Sequence, residues 1–159
     1  MALLLLADPS MEAIQSYLDQ SDCYIAESGN QIIGAYVLLP LDQQTIELKN
    51  LAVDPREQGK GIGQTLIRHA FKIAKTQGFK RIEVGTGNSS IKPLALYRKM
   101  GFVQTSVDKD FFLRHYPTPI FENGLQCRDL IRLSTPIPPA PKWPIVILRS
   151  GVYLPNESV

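Results

Sequence analysis

Residues 51–74, LAVDPREQGKGIGQTLIRHAFKIA, set Gly59, Gly61 and Gly63 in alternation between an apolar run and a stretch of helical period. The first amides of a helix have no internal partners and carry the positive end of its dipole. Glycines at that point let a bulky anion such as a phosphate reach the amides. The residues that would form this anion site are Gln58, Gly59, Lys60, Gly61, Ile62, Gly63 and Gln64. A Walker loop does not fit, because Lys60 lies between glycines and no lysine–serine or lysine–threonine pair follows the last one. A dinucleotide fingerprint does not fit either: its third position falls on Gln64 counted from Gly59, or on Leu66 counted from Gly61, which leaves Glu83 at a ribose-contact spacing by coincidence. A turn without a ligand seldom needs three glycines in alternation. The arrangement that remains is a pyrophosphate held by consecutive amides.

The elements around the turn must position it. In TIELKNLAV (45–53), Ile46 and Leu48 share one face by two-residue alternation, whereas Leu51 and Val53 fall on the other. The pattern slips near Lys49 and Asn50, as an inserted β-bulge would make it do. Such a bulge splays the strand from a neighbour and leaves the backbone of Leu51, Ala52 and Val53 available to a ligand. Beyond the turn, Leu66, Ile67, Ala70, Phe71 and Ala74 repeat at helical spacing and Gly78 is a stop. His69 follows the polar side with Thr65, Lys72 and Thr76, which predicts a surface role. KRIEVGT then reads as a strand, and strand, helix and strand make a right-handed βαβ unit with parallel strands.

Elsewhere, MALLLL reads as a short strand and Asp8-Pro9 as the start of a helix with Met11, Ile14 and Leu18 as its apolar stripe. Gly29-Asn30 between two β-rich runs predicts a hairpin. Ser89, Ser90 and Pro93 open a helix through Leu96, Tyr97 and Met100, which Gly101 ends with Phe102 packing back. FVQTSV and LQCRDLIRLS are later strands, separated by a loop-rich insertion over 108–124.

The chain has 159 residues, 44% of them hydrophobic and 20% charged, with a net charge of +2. These values describe one ordinary globular domain with enough chain for a core, and exclude a dedicated nucleic-acid binder. The N-terminal apolar run lacks a basic start and is too short for an export signal or a membrane span. Cys23 and Cys127 have no metal spacing and read as reduced, buried thiols of a cytoplasmic protein. From Thr135 the composition turns proline-rich, so the expected organisation is a domain over 1–134 and an extension over 135–159 that packs on the domain or on a partner subunit. Its apolar run, Ile145 to Leu148, is suited to add a strand to a partner and so to a homodimer.

With these features assembled, the sequence resembles the GNAT superfamily of acetyl-CoA-dependent N-acetyltransferases. The family's acetyl-CoA loop reads Gln or Arg, two residues, Gly, one residue, then Gly or Ala, here Gln58 to Gly63. NLAVDP resembles its bulged strand, and NSSIKPLALYRKMGF its later cofactor-contacting helix. The three elements lie in order over residues 45–103. The resemblance implies a mixed α/β fold, with a central, largely antiparallel mixed sheet whose splayed parallel βαβ core is flanked by helices. It implies acetyl-CoA as cofactor, its pyrophosphate at the glycines and its pantetheine arm along Leu51, Ala52 and Val53 like an added strand.

The resemblance also carries roles. The Val53 amide would polarise the thioester carbonyl, and Tyr97 would protonate the departing thiolate, although Leu94, Tyr97 and Met100 also form a plausible core stripe. Glu47, eleven positions before Gln58, stands where histone-type members have a catalytic glutamate; otherwise it pairs with Lys49 on a solvated strand face, and Glu83 is the alternative base. Asn88 resembles the asparagine that contacts pantetheine, or it caps the helix. Arg98 and Lys99 approach the phosphates or are solvated. His115 and Tyr116 line the acceptor pocket, or Phe111, Phe112 and Phe121 make a small lid core. Three functions follow: acetyl transfer to a primary amine of a small molecule in a ternary complex, acetylation of a protein lysine or N-terminus, and acyl-CoA sensing without turnover.

Overall fold

A computed structural model describes residues 1–137 and the backbones of Ile145–Leu148 and Val152–Pro155. The chain forms two compact units, Met1–Ile82 with Ile137–Val159 and Glu83–Pro136.

In the first unit, the apolar run that reads as a strand is instead a single helical turn, α1 (Leu4–Ala7). An unbroken apolar run does not decide between strand and helix. Here Leu4 buries itself against Ile14 and Tyr17 of the next helix, α2 (Met11–Leu18), and against Ala35 and Val37. That helix starts later than Asp8-Pro9 suggests: Ser10 is its cap and accepts the Ala13 amide at 3.1 Å, while Asp8 accepts the Ser10 amide. Its buried stripe is accordingly Ile14 and Tyr17, and Met11 is exposed.

Strands β1 (Asp22–Ser28) and β2 (Gln31–Pro40) form the expected hairpin about Gly29-Asn30, with Ser28 opposite Gln31 and Gly29 at a φ of 60°. Strand β3 (Thr45–Val53) runs antiparallel to β2. Val37 faces Asn50 and Leu38 faces Leu48, so Lys49 is the extra residue of a bulge. Because the bulge flips the alternation, Ile46, Leu48, Leu51 and Val53 come to share one sheet face, with Glu47, Asn50 and Ala52 on the other. The first face receives α3 (Ile62–Thr76), whose Leu66, Ile67, Ala70, Phe71 and Ala74 are all buried. Gly34 allows this approach, since a Cβ there would lie 2.9 Å from Leu66 Cδ1 and 3.3 Å from the Ala52 carbonyl oxygen. The second face is covered by α1 and α2. After α3, Gly78 takes a φ of 90° and the Phe79 amide returns to the Ala74 carbonyl.

His69 is a correction. It is 4% exposed, its Nδ1 hydrogen-bonds the Tyr36 hydroxyl at 2.6 Å, and Tyr24 stacks on Tyr36. One turn from Leu66 and beside Ala70, it widens the apolar face of α3, and burial lowers its pKa to about 4.

Strand β4 (Arg81–Gly87), which follows in the strand, helix and strand order read from the sequence, begins in the first unit and enters the second at Glu83. Helix α4 (Ile91–Lys99) follows, then β5 (Val103–Asp108). The insertion read as loop holds a short helix, α5 (Phe111–His115), and a hairpin of β6 (Ile120–Glu122) with β7 (Leu125–Cys127). Its turn is Asn123-Gly124, both at positive φ, the residue pair a two-residue hairpin turn requires. LQCRDLIRLS is not one strand but two, β7 and β8 (Leu130–Pro136), and β8 lies between β4 and β5. The break falls where the Arg128 and Asp129 amides donate to Asn88 Oδ1, at 2.8 and 3.0 Å, in place of a ladder.

Back in the first unit, β9 (Ile145–Leu148) pairs antiparallel with β10 (Val152–Pro155) of its own chain. The extended proline-rich stretch expected over 138–144 lies outside the described residues. No helix among the described residues is long and apolar enough to cross a membrane.

Candidate active site

Asp54 ends β3 by accepting the Arg56 amide, which starts a 3-10 turn at Pro55–Glu57. The Arg56 guanidinium beside it holds the Asp54 carboxyl at a pKa of about 2. Gln58 reaches back and donates from Nε2 to the Val53 carbonyl at 3.2 Å. Gly59 and Gly61 both take left-handed backbone, with φ of 79° and 83°, and a Cβ on either would meet no protein atom within 4 Å. Gly61 is the cap of α3 and has no side chain to offer. The first bond of the helix is Thr65 N–H to the Gly61 carbonyl, so the amides of Ile62, Gly63 and Gln64 have no acceptor among the described residues. Three amides at the positive end of a fifteen-residue helix, beside open space at both left-handed glycines, fit a pyrophosphate. Gly63 lies inside the helix. Lys60 is paired with Glu57 at 2.9 Å, and Arg68 reaches Gln64 at 3.4 Å.

The adjoining strand end is oriented by its ladder. Asp54 N–H donates to the Ile33 carbonyl at 2.9 Å, which makes 54 and 33 a hydrogen-bonded pair. In antiparallel pairing such pairs alternate, so the N–H groups of Leu51 and Val53 both point away from β2. Gln58 takes the outward carbonyl of Val53 and leaves its N–H. The structure therefore brings together Leu51, Ala52, Val53 and residues 58 to 64.

It does not bring Glu47 to Val53. Six residues of strand separate them, roughly 20 Å at about 3.3 Å per residue, beyond the reach of one carboxylate. Leu51, four residues from Glu47, carries the nearer outward N–H. Nor is Glu47 on a solvated face: it is 5% exposed on the side turned to α1 and α2, with Lys49 Nζ 3.6 Å from its Oε1. On the same face lie Asn50 and Tyr17, which no local pattern marks, because the element that meets Asn50, α1, is an apolar run that reads as a strand.

Taken by itself, the second unit places Tyr97 on α4, 7% exposed, with its ring edge-on to Phe102 at 5.6 Å. The Phe102 amide donates to the Tyr97 carbonyl, and Gly101 takes a φ of 94°, so the expected helix stop holds the two rings together. Burial raises the Tyr97 pKa, which keeps the phenol protonated. Asn88 does not cap α4, whose cap position is Ser90. Its Oδ1 accepts the Arg128 and Asp129 amides and its Nδ2 donates to the Gln126 carbonyl. Phe111 stacks on His115 at 4.4 Å and Phe112 on Tyr116 at 5.4 Å, a small aromatic cluster that leaves Phe121 exposed.

Comparison with known proteins agrees with this geometry. The model of the acetyltransferase (GNAT) family matches residues 5–102. An uncharacterized N-acetyltransferase, YvbK, of Bacillus subtilis is 52% identical over 131 residues, 82% of this chain and 84% of its own. A GNAT family acetyltransferase from Elizabethkingia anophelis, solved with acetyl-CoA bound, is 47% identical with a TM-score of 0.83, covering 85% of this chain and 88% of that one. A Bacillus subtilis acetyltransferase solved with CoA is 50% identical with a TM-score of 0.81, covering 85% and 89%. The chain belongs to the GNAT family: it is an N-acetyltransferase with the mixed α/β fold of that family, and its cofactor is acetyl-CoA.

Proposed function

We propose that the protein transfers an acetyl group from acetyl-CoA to a primary amine of a small molecule, by direct attack in a ternary complex. The observation that carries this reading is the run of amides, Ile62 to Gln64, with no acceptor among the described residues, continuous with a strand end whose Leu51 and Val53 N–H groups turn away from β2. When bound, acetyl-CoA supplies the acetyl group as an activated thioester. The amides at 62–64 hold the pyrophosphate between Gly59 and Gly61, and the outward N–H groups of Leu51 and Val53 hold the pantetheine arm as a strand would be held. Leu51 N–H is the donor for the thioester carbonyl, because it is the outward amide nearer Glu47. Glu47 takes the proton of the incoming amine at its carboxylate.

Tyr97 is the proposed donor to the departing sulfur. A phenol raised above about 10 is a weaker acid than a thiol near 8.5. It therefore stabilises the developing charge by hydrogen bonding, and the net proton comes from the amine. Cys127 is buried, whereas Cys23 is exposed, against the expectation of two buried thiols; partial desolvation raises the thiol pKa of both. Neither is suited to carry the acetyl group covalently, which favours direct attack over a two-step transfer. A buried carboxylate on a covered sheet face, in place of an open acidic trough, favours a small acceptor over a peptide. Two free thiols fit the reducing cytoplasm, which is part of this reading.

The test is thiol release from acetyl-CoA across a panel of small primary amines and lysine peptides. Turnover with at least one small amine and none with peptides is expected. Binding of CoA without release on any acceptor would overturn acetyl transfer in favour of sensing.

A further inference from the structure

Asn50 follows the bulge on the face of β3 turned to α1 and α2, and is 3% exposed. Its Nδ2 donates one proton to the Leu4 carbonyl at 3.0 Å and the other to Tyr17 Oη at 3.1 Å. This fixes the amide's orientation, since a flip would set Oδ1 against the Leu4 oxygen. Oδ1 is then a buried acceptor with no donor among the described residues. Buried carbonyls are paired in nearly all proteins, so an orphan at this position calls for a partner. Tyr17 supplies the complementary half. Its oxygen accepts from Asn50, and its own proton has no acceptor among the described residues. Burial, with the Asp8 and Glu47 carboxylates adding to it, keeps that phenol protonated. Lys49 Nζ lies 5.6 Å from the Tyr17 ring centroid and 3.6 Å from Glu47 Oε1, so one cation touches both the Tyr17 ring and the proposed base.

We propose that Tyr17 O–H and Asn50 Oδ1 form an acceptor-recognition subsite for a group that donates and accepts at once, a hydroxyl or carboxamide carried by the amine substrate. The inference rests on the acetyl-transfer reading and gives it a specificity. An ammonium offers only donors and a methyl group offers neither, whereas a hydroxyl satisfies both protein groups. Access runs past α1, a four-residue turn with no side-chain cap, whose hold on Asn50 is the single bond at Leu4. Moving it uncovers Leu4 from its place against Ile14 and Tyr17, a loss of packing that the bound group must offset.

The experiment compares 3-aminopropan-1-ol with butylamine, which differ by hydroxyl against methyl. Calorimetric binding to the CoA-bound protein and kcat/KM in the thiol assay are both measured. A preference for the amino alcohol of about tenfold or more is expected in both, because a site built to bond a hydroxyl rejects the analogue lacking it. Tyr17→Phe should bring the ratio to within about twofold while the CoA Kd stays unchanged, whereas a merely structural Tyr17 would change Tm and not the ratio. Equal handling of the two amines by the wild-type protein, binding of neither, or a ratio that Tyr17→Phe leaves intact overturns the subsite. Should the variant not fold, the wild-type ratio decides alone. Selective binding without thiol release supports the subsite and removes acetyl transfer; thiol release without selectivity does the reverse.

Discussion

Gly61 separates two costs that a glycine loop usually confounds. At a φ of 83° with no protein atom within 4 Å of the added carbon, alanine meets strain but no clash. Left-handed backbone costs an L residue about 1 kcal/mol, which corresponds to a Tm lower by roughly 2–4 °C in a domain of this size. The cofactor cost is different, because the same carbon enters the space proposed for phosphate against the amides of Ile62 to Gln64. Loss of one charge-assisted hydrogen bond is worth about 1.5–3 kcal/mol, or roughly ten- to a hundredfold in CoA Kd. Asparagine pulls the two apart: it tolerates left-handed backbone, so Gly61→Asn should recover most of the stability that Gly61→Ala loses. Its larger side chain should bind CoA more weakly still. Gly29→Ala is the control, since Gly29 is also left-handed and also open, but lies in the β1–β2 turn. It should lower Tm comparably and leave CoA affinity alone. Calorimetric Kd and thermal melts of all four proteins decide the matter. Affinity that tracks stability, with asparagine binding better than alanine, would refute the assignment of that open space to phosphate.

Two further outcomes follow from the burial of single rings. Tyr97→Phe should lower kcat by about a hundredfold while CoA Kd changes by less than about twofold, and unchanged turnover would return Tyr97 to packing against Phe102. His69 has a folded-state pKa of about 4 against 6.5 for the free side chain, so the unfolded chain takes up the proton first. Stability from the neutral imidazole is therefore whole above pH 6.5 and is lost as pH falls towards 4, by up to about 3 kcal/mol. Urea unfolding at pH 7.5 and 4.5 should show that loss in the wild-type protein and a flatter dependence in His69→Gln; equal slopes would refute it.

What could be read from the chain was what local pattern determines. The bulge at Lys49 announced itself because alternation broke there, and the structure adds what the break achieves: Leu51 and Val53 rejoin the face of Ile46 and Leu48 under α3. The helix stops at Gly78 and Gly101 were equally local, each a left-handed residue closing an apolar stripe. Asn123-Gly124 obeys the same local rule, but the strands it joins have three residues each and too little alternation to mark them in the sequence. His69 failed for another reason. Periodicity places a residue on a face, but the width of that face is set by what lies opposite, and Tyr36 is thirty-three residues away in sequence.

The same limit explains why the site was legible by halves. The proposed phosphate recognition depends on backbone, namely amides at 62–64 with no acceptor among the described residues and glycines that leave space, and backbone demands show as residue types at fixed spacing. The proposed acceptor recognition depends on side chains of α2 and β3 held by a carbonyl of α1, where Asn50 meets Leu4 forty-six residues away and Tyr17 thirty-three away. No spacing encodes those meetings. The orientation of Asn50, and hence its orphaned oxygen, depends on the Leu4 carbonyl, which stands where it does only because MALLLL forms a helical turn. If the cofactor half is fixed by backbone and the acceptor half by side chains from separate elements, substitutions at Tyr17 and Asn50 can retune the amine without disturbing CoA, whereas no substitution in the glycine turn can do so.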